Sequence, residues 1–233
     1  MADTLRGEWR TPAVEDFLKH VYLLEQQTDP VPTTLLARAL DIAAPSVTEM
    51  IKRLSSGENI PQLLTHEPRR GVRLTEAGQR IALEIIRHHR LLELYLTQKL
   101  GFTWDEVHDE ADRLEHHISE RLEARIAEAL DQPLIDPHGD PIPAADGTLN
   151  VPNLILLCDL ETLQGSEVSR IIDQTPEVLR YLSDLGLVPG ALVILTSRAP
   201  LNDTIGVKIG GDAEPHTIST QIARKVLVIP NVK

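Results

Sequence analysis

Thr33-Thr-Leu-Leu-Ala-Arg-Ala-Leu-Asp-Ile-Ala-Ala-Pro-Ser-Val-Thr-Glu-Met-Ile-Lys-Arg-Leu54 reads as two short helices joined by a tight turn. Leu35, Leu36, Ala37, Ala39 and Leu40 recur at helical spacing, and Thr33 or Thr34 is placed to cap their N-terminus. Asp41-Ile-Ala makes the turn. Ala44-Pro45-Ser46 opens the second helix, where a proline in the first turn forfeits no hydrogen bond. Val47, Met50, Ile51 and Leu54 form its apolar side and leave Ser46, Thr48, Glu49, Lys52 and Arg53 outside. A pair of helices of this kind sets its second member into the major groove of DNA. Small hydroxyl residues and a proline at the start of that helix permit close approach to backbone and base edges.

Both flanks extend the pattern. Upstream, residues 1–11 read as a loose arm, and Val14, Phe17, Leu18, Val21, Tyr22 and Leu24 then keep helical spacing from Pro12. Downstream, Leu63–Leu74 reads as a hairpin turned at Pro68-Arg69-Arg70-Gly71. Three helices and a hairpin make the winged form of the helix-turn-helix. Lys52, Arg53, Arg69, Arg70 and Arg73 concentrate positive charge there, although the 233-residue chain carries a net −12. That balance argues against non-specific coating of nucleic acid but leaves room for a local basic surface. Ser46, Thr48 and Glu49 are expected to sample bases, with Pro45 beside them and Lys52, Arg69 and Arg70 on phosphates.

Thr75, Glu76 and Gln79 start a long helix that runs to about Leu100, where Gly101-Phe102 ends it. Thr103 is placed to cap a following helix, with Asp105 and Glu106 at its positive end. That helix puts His108, Asp112, Glu115 and His116 on one side, at i, i+4, i+7 and i+8. His89 and Glu93 form another i, i+4 pair upstream. Imidazoles and carboxylates at these offsets can close around one or two divalent cations. His88 and His117 point roughly 100° from their neighbours on a helix and read as surface residues. His20, His66, His138 and His216 read as bystanders. The apolar stripes Val107, Ala111, Leu114, Ile118 and Leu122, Ile126, Leu130 are expected to build a homodimer core.

Residues 131–149 read as a Pro/Asp/Gly-rich linker. Beyond it come short β-type runs at Asn153–Leu160, Ala191–Thr196, Ile205–Ile209 and Lys225–Ile229, with one helix near Pro176–Leu185. A small barrel with one helix is the expected shape. Cys158, the single cysteine, reads as buried within the first run. One cysteine, no secretory h-region and no membrane-length apolar run together point to a cytoplasmic protein.

The chain resembles the diphtheria-toxin-repressor family of metal-dependent regulators, and within it the manganese-responsive branch. The motifs that carry the resemblance are Val14-Glu-Asp-Phe-Leu, Ala44-Pro-Ser-Val-Thr, Leu74-Thr-Glu-Ala-Gly, Arg87-His-His-Arg-Leu-Leu-Glu, Val107-His-Asp-Glu-Ala-Asp-Arg-Leu-Glu-His-His and Gly139-Asp-Pro-Ile-Pro. Each alone is weak, but six in order are specific. The resemblance implies a mainly-α winged helix-turn-helix domain over 1–75 and a helical metal-binding and dimerisation domain over 76–143. A small SH3-like (FeoA-like) β-barrel domain would follow over 150–233.

It further implies two ions per subunit. One would be held by His89, Glu93 and His108, and the other by Asp16, Asp112, Glu115 and His116. The iron-responsive branch has methionine and cysteine at the positions of Asp16 and Asp112. Carboxylates there favour Mn²⁺, with Fe²⁺ the alternative. Many manganese members carry a glutamate where this chain has Lys19, and an ammonium cannot ligate. Near the C-terminal ligand positions stand Arg170, which cannot ligate, and Asp173, which can. The implied partners are operator DNA and a second copy of the chain.

Two other classes use the same residues. A two-metal hydrolase would explain the ligands, but the chain has no H-E-x-x-H, no separate nucleophile and no phosphate-cradling glycine loop. A winged-helix regulator that senses no metal would explain the N-terminal half only, and metal titration separates it.

Overall fold

The computed structural model describes residues 7–230. The N-terminal arm expected over residues 1–11 lies outside these as far as residue 6. From Gly7 on the chain is tied down, with Arg10 bonded to Glu15 at 2.6 Å and to Glu84 at 2.9 Å. No helix among the described residues is long and apolar enough to cross a membrane.

The chain divides into two compact units. The first runs to His89 and takes in Glu115–Ile118 and Pro143–Thr148. Its elements are α1 (Pro12–Glu25), α2 (Thr33–Ala39), α3 (Ala44–Ser56), the antiparallel hairpin β1 (Leu64–Glu67) and β2 (Gly71–Leu74), and the start of α4 (Glu76–Leu100). Val14, Phe17, Leu18 and Val21 of α1 meet Leu36, Val47, Ile51, Leu54 and Val72 in one core. Burying each such side chain contributes about 1.5–3 kcal/mol. The predicted apolar sides therefore largely pack, but Tyr22, Leu24, Leu35, Ala37, Leu40 and Met50 are only partly buried and Ala39 is exposed.

α2 begins differently from expectation. Pro32 is its N-cap and Thr33 its first residue, with no side-chain cap bond. Proline's fixed φ suits that extended position, and the Pro32 carbonyl accepts from the Leu35 and Leu36 amides. Thr75, by contrast, does cap α4, accepting from the Gly78 amide at 3.2 Å. Gly71 is held at φ 141°, and an added Cβ would lie 2.1 Å from the Val31 carbonyl oxygen. Only glycine lets the wing approach Val31 this closely, where Val31 and Val72 form an isolated bridge and exchange hydrogen bonds of 2.9 and 3.0 Å.

The second unit holds the rest of α4, then α5 (Val107–Leu114), α6 (Glu120–Ala129), residues to Ile142, and the chain from Leu149. Thr103 does not cap α5 as predicted. Its hydroxyl donates to the Glu106 carboxylate at 2.7 Å within the turn before the helix. Ser119 caps α6, accepting from Leu122.

The C-terminal part is a six-stranded antiparallel sheet with order β3-β8-β4-β5-β6-β7. The strands are β3 (Ile155–Leu156), β4 (Gly165–Ile171), β5 (Leu192–Ala199), β6 (Thr204–Ile209), β7 (His216–Ser219) and β8 (Val226–Val228). Helix α7 (Pro176–Asp184) covers its core and a short α8 (Thr220–Ala223) precedes β8. β5 shows the strand period plainly: Val193 and Leu195 are buried while Leu192 and Ile194 are exposed.

Two strands were missed and two expectations fail here. β4 and β7 were not legible, because each buries at most two side chains fully and β4 is broken by a bulge between Val168 and Arg170. The Asn153–Leu160 run is not one strand. It turns into a 3₁₀ segment over Leu157–Asp159, where the Arg198 guanidinium bonds the Cys158 and Leu160 carbonyls in place of a strand partner. Cys158 is buried, but in that turn. Finally, Asp136–Pro143 is no solvated linker. It folds into a tight buried loop in which Asp136 N donates to Asp140 O at 3.0 Å and Ile142 N to Leu134 O at 2.9 Å.

Candidate metal centre

In the first unit, helical spacing on α1 turns Val14, Phe17 and Leu18 into the core and brings Glu15, Asp16 and Lys19 to the segment that follows α5. Asp16, Glu115 and His116 each bring one donor atom within 4.8 Å of the others. His116 Nε2 lies 3.0 Å from Asp16 Oδ1 and 3.5 Å from Glu115 Oε1. Its Nδ1 lies 2.7 Å from Glu15 Oε2, and Arg10 holds the other Glu15 oxygen at 2.6 Å. Burial works to lower the His116 pKa, but the bonds to Asp16 and Glu15 and the charges of Asp16 and Glu115 outweigh it and raise it to about 9.

Glu115 is fully buried, and the charges around it make that tolerable. Lys19 Nζ donates to Oε1 at 2.9 Å and to Oε2 at 2.8 Å. His89 Nδ1 is 2.6 Å from Oε2. His88, expected on the surface, is buried with Nδ1 3.0 Å from the Glu115 carbonyl oxygen. The expectation failed because α4 is buried on all sides from His88 to Leu94, so a 100° rotation reaches no solvent.

In the second unit, Glu93 Oε1 is 3.1 Å from His108 Nδ1. Asp112, on the exposed side of α5, lies 3.6 Å from His108 Nε2. Glu93, Asp136 and His138 form a further group, all three buried and with donors within 4.8 Å. His138 was expected to be a bystander but is fully buried, stacked on Trp104 with ring centroids 5.8 Å apart. Its Nε2–H donates to the Trp104 carbonyl at 2.8 Å. Its Nδ1 has no hydrogen-bond partner, lying 3.7 Å from Glu93 Oε2. Burial works to lower the His138 pKa, but Glu93 and Asp136 outweigh it and raise it, so this nitrogen is placed to take a proton or a cation.

Burial, helped by the charges of Asp140 and Glu93, pushes the Asp136 carboxyl up to about 7. Arg90 restrains this cluster, donating to Pro141 O at 2.5 Å and to Asp140 at 3.2 Å. Arg170 reaches Asp140 at 2.7 Å from β4. Gly139 sits at φ 87° with a virtual Cβ 1.8 Å from the Ser169 carbonyl oxygen, so the loop lies flat on β4 as only glycine allows. Asp173 accepts instead from Lys225 at 2.7 Å and from the Thr175 amide at 3.1 Å, and Lys225 holds its carboxyl below the usual range.

Asp136 and Glu15 were passed over by sequence reasoning, His138 was read as a bystander, and Lys19 was noted only as unable to ligate. A signal existed for Asp136 and His138. Asp-Pro-His-Gly-Asp-Pro over 136–141 places two carboxylates and an imidazole on a turn stiffened by prolines.

On the winged surface, Pro45, Ser46, Thr48, Glu49, Lys52 and Arg53 of α3 are all exposed, while Val47, Ile51 and Leu54 are buried. The wing carries Arg69 at its tip with φ 67°. Arg70 bonds Glu67 at 2.6 Å, and Arg73 pairs with both Glu67 and Asp29. Lys52 and Arg69 have no ion pair among the described residues, which leaves their charges available to a phosphate.

A model of the iron dependent repressor N-terminal DNA binding domain matches residues 11–72. That of the iron dependent repressor metal binding and dimerisation domain matches 75–144, and the FeoA domain matches 155–230. The iron-dependent repressor IdeR of Mycobacterium bovis is 32% identical over 193 residues, covering 77% of this chain and 81% of that protein. The HTH-type transcriptional regulator MntR of Bacillus pumilus is 31% identical over 109 residues, 47% of this chain and 72% of its own. A solved manganese-dependent transcriptional repressor in complex with manganese is 36% identical with a TM-score of 0.81, over 93% of this chain and 99% of that one.

Proposed function

We propose, from the premise that this chain belongs to the iron-dependent repressor family, that it is a Mn²⁺-responsive repressor of metal-homeostasis genes. The chain is a metal-dependent transcriptional repressor with DNA-binding and metal-binding/dimerisation domains, and not an enzyme. The observation that carries the finer reading is the convergence of Asp16, on the first helix, with Glu115 and His116 about 100 residues later. Carboxylate oxygens and imidazole nitrogens suit Mn²⁺, and Fe²⁺ is the alternative.

We assign one ion to Asp16, Asp112, Glu115 and His116 and a second to His89, Glu93 and His108, giving two per subunit. A second reading of the latter site replaces His89 and His108 with Asp136 and His138, and the unpartnered His138 Nδ1 favours it. A divalent cation, when bound, supplies positive charge that offsets the clustered carboxylates. Asp16 then ties α1 of the winged module to the segment after α5, and this biases the dimer towards the spacing that fits two half-sites. Domain limits near 1–75, 76–143 and 150–233 are supported by the three model spans. A homodimer on operator DNA in the cytoplasm is the assembly proposed.

Capture of genomic DNA fragments by the purified protein tests this reading. A few specific fragments should be recovered with Mn²⁺ and none with chelator. Equal recovery in both would refute metal activation.

Two further outcomes follow from the geometry. Arg69→Ala should weaken binding to all sequences alike and lower the slope of log affinity against log salt by about 0.9, one phosphate contact. An unchanged slope would remove the wing tip from the interface.

His116, protonated in the metal-free protein below about 9, must release that proton to offer Nε2 to an ion. The sign follows: affinity rises with pH, by about tenfold per unit, until pH passes the raised pKa. Calorimetry at pH 7.5 in two buffers of different ionisation heat should count about one proton released per ion at this site. A count of zero would exclude His116 as a ligand.

A further inference from the structure

Lys19 is buried on α1, although a lysine stem is long enough to carry its charge to water. Instead its ammonium sits on both oxygens of Glu115 at 2.9 and 2.8 Å, and 3.3 Å from His89 Nδ1. The ammonium donates to both Glu115 oxygens, and His89 Nδ1–H, 2.6 Å from Oε2, donates to the same carboxylate, so Lys19 and a residue assigned above to metal converge on Glu115. Glu115 Oε1, the oxygen 3.5 Å from His116, is the one Lys19 holds at 2.9 Å.

We propose that Lys19 is a resident competing cation, which occupies Glu115 in the metal-free protein and is exchanged for the divalent ion. This deepens the reading of the Asp16–Glu115–His116 site and rests on it. The physical argument is charge and lone pairs. A buried Glu115 without a cation would be strongly disfavoured, and the ammonium meets that need in the absence of metal. An arriving ion gains an oxygen only as Lys19 loosens its hold, and it feels the repulsion of a unit charge a few ångströms away. Affinity is thereby set lower than the donor set alone would give, and the repressor answers to metal excess and not to traces. Lys19 is a specificity-determining residue in this scheme and never a ligand.

The alternative role is structural: Lys19 orients Glu115 and stays in place when metal binds. The two roles predict opposite signs. Calorimetric Mn²⁺ titration of the full-length Lys19→Met and Lys19→Gln variants decides between them, with thermal melts in chelator and in Mn²⁺. Competition predicts Mn²⁺ affinity at least about tenfold tighter in both variants. It also predicts a lower melting temperature in chelator and a larger Mn²⁺-induced rise than in the parent chain.

Lys19→Gln keeps a donor for Glu115 without the charge, so it covers the case in which Lys19→Met fails to fold. Unchanged or weaker affinity in the folded variants overturns the proposal. Glu115→Gln titrated alongside separates the two layers. If it loses one ion while the Lys19 variants bind as the parent does, only the competition idea falls. If it keeps the parent's stoichiometry and affinity, the site assignment falls and takes the proposal with it.

Discussion

Glu115→Gln is expected to abolish Mn²⁺-dependent DNA capture, with ion affinity at its site down by more than the 10–100-fold typical of outer-shell changes. Glu115 touches Lys19, His89 and His116 and is fully buried, so its charge organises the whole cluster of the first unit. Glutamine keeps the shape and one carbonyl acceptor. Alanine is the poorer test. It would strand the Lys19 ammonium in a buried site, and breaking a buried pair in that way costs about 3–5 kcal/mol. Loss of response in Glu115→Ala would therefore confound folding with metal binding. Circular dichroism in chelator should give Glu115→Gln a folded signal, and genomic capture should then show no Mn²⁺ dependence. A folded variant that still responds to Mn²⁺ at parental concentrations would defeat the assignment of Asp16, Glu115 and His116.

Arg90→Met should be the most destabilising single change in the second unit, by about 3–5 kcal/mol in urea unfolding. Arg90 is 9% exposed. Its guanidinium bonds the Pro141 carbonyl at 2.5 Å and Asp140 at 3.2 Å, and lies 3.7 Å from Asp136. Methionine keeps most of the stem but leaves Asp136, Asp140 and Glu93 with too little positive charge. Arg170 still compensates Asp140. Asp136 is the carboxylate left most exposed to repulsion, and its raised pKa already shows the strain of burial beside Asp140 and Glu93. Saturating Mn²⁺ should restore part of the lost stability if Asp136 and His138 hold an ion, because only the native form presents that site. A loss below about 1 kcal/mol would place the arginine among ordinary surface pairs. Recovery absent in Mn²⁺ would count against the Glu93–Asp136–His138 site.

The N-terminal half was the more legible in sequence because its signals are local. Val14, Phe17 and Leu18, or Val47, Ile51 and Leu54, lie within one or two turns of each other, and the period of a helix alone puts them on one face. The wing was legible for the same reason, as two short runs about Pro68–Gly71. The C-terminal sheet was legible only where strands are apolar. β6 and β8 stand out, whereas β4 carries Ser166, Glu167, Ser169 and Arg170, and its pairing with β5 and β8 comes from distant residues.

The types of residue on offer as donors were legible in the sequence itself. Carboxylates at Asp16 and Asp112 beside imidazoles underlie the proposed preference for Mn²⁺, and their role as ligands rests on the family resemblance. The sequence also determined the order of helices and hairpin, since that order follows from periodicity and turn residues. What only the tertiary structure decided is which donors meet and what else meets them. Glu15 behind His116, Lys19 on Glu115, and Asp136 with His138 beside Glu93 all depend on the chain returning across tens of residues. Side-chain spacing carries no record of such returns. They rest on the burial of α4 from His88 to Leu94 and on Arg90 gripping the Asp136–Pro141 loop, where the cost of an uncompensated charge admits few arrangements.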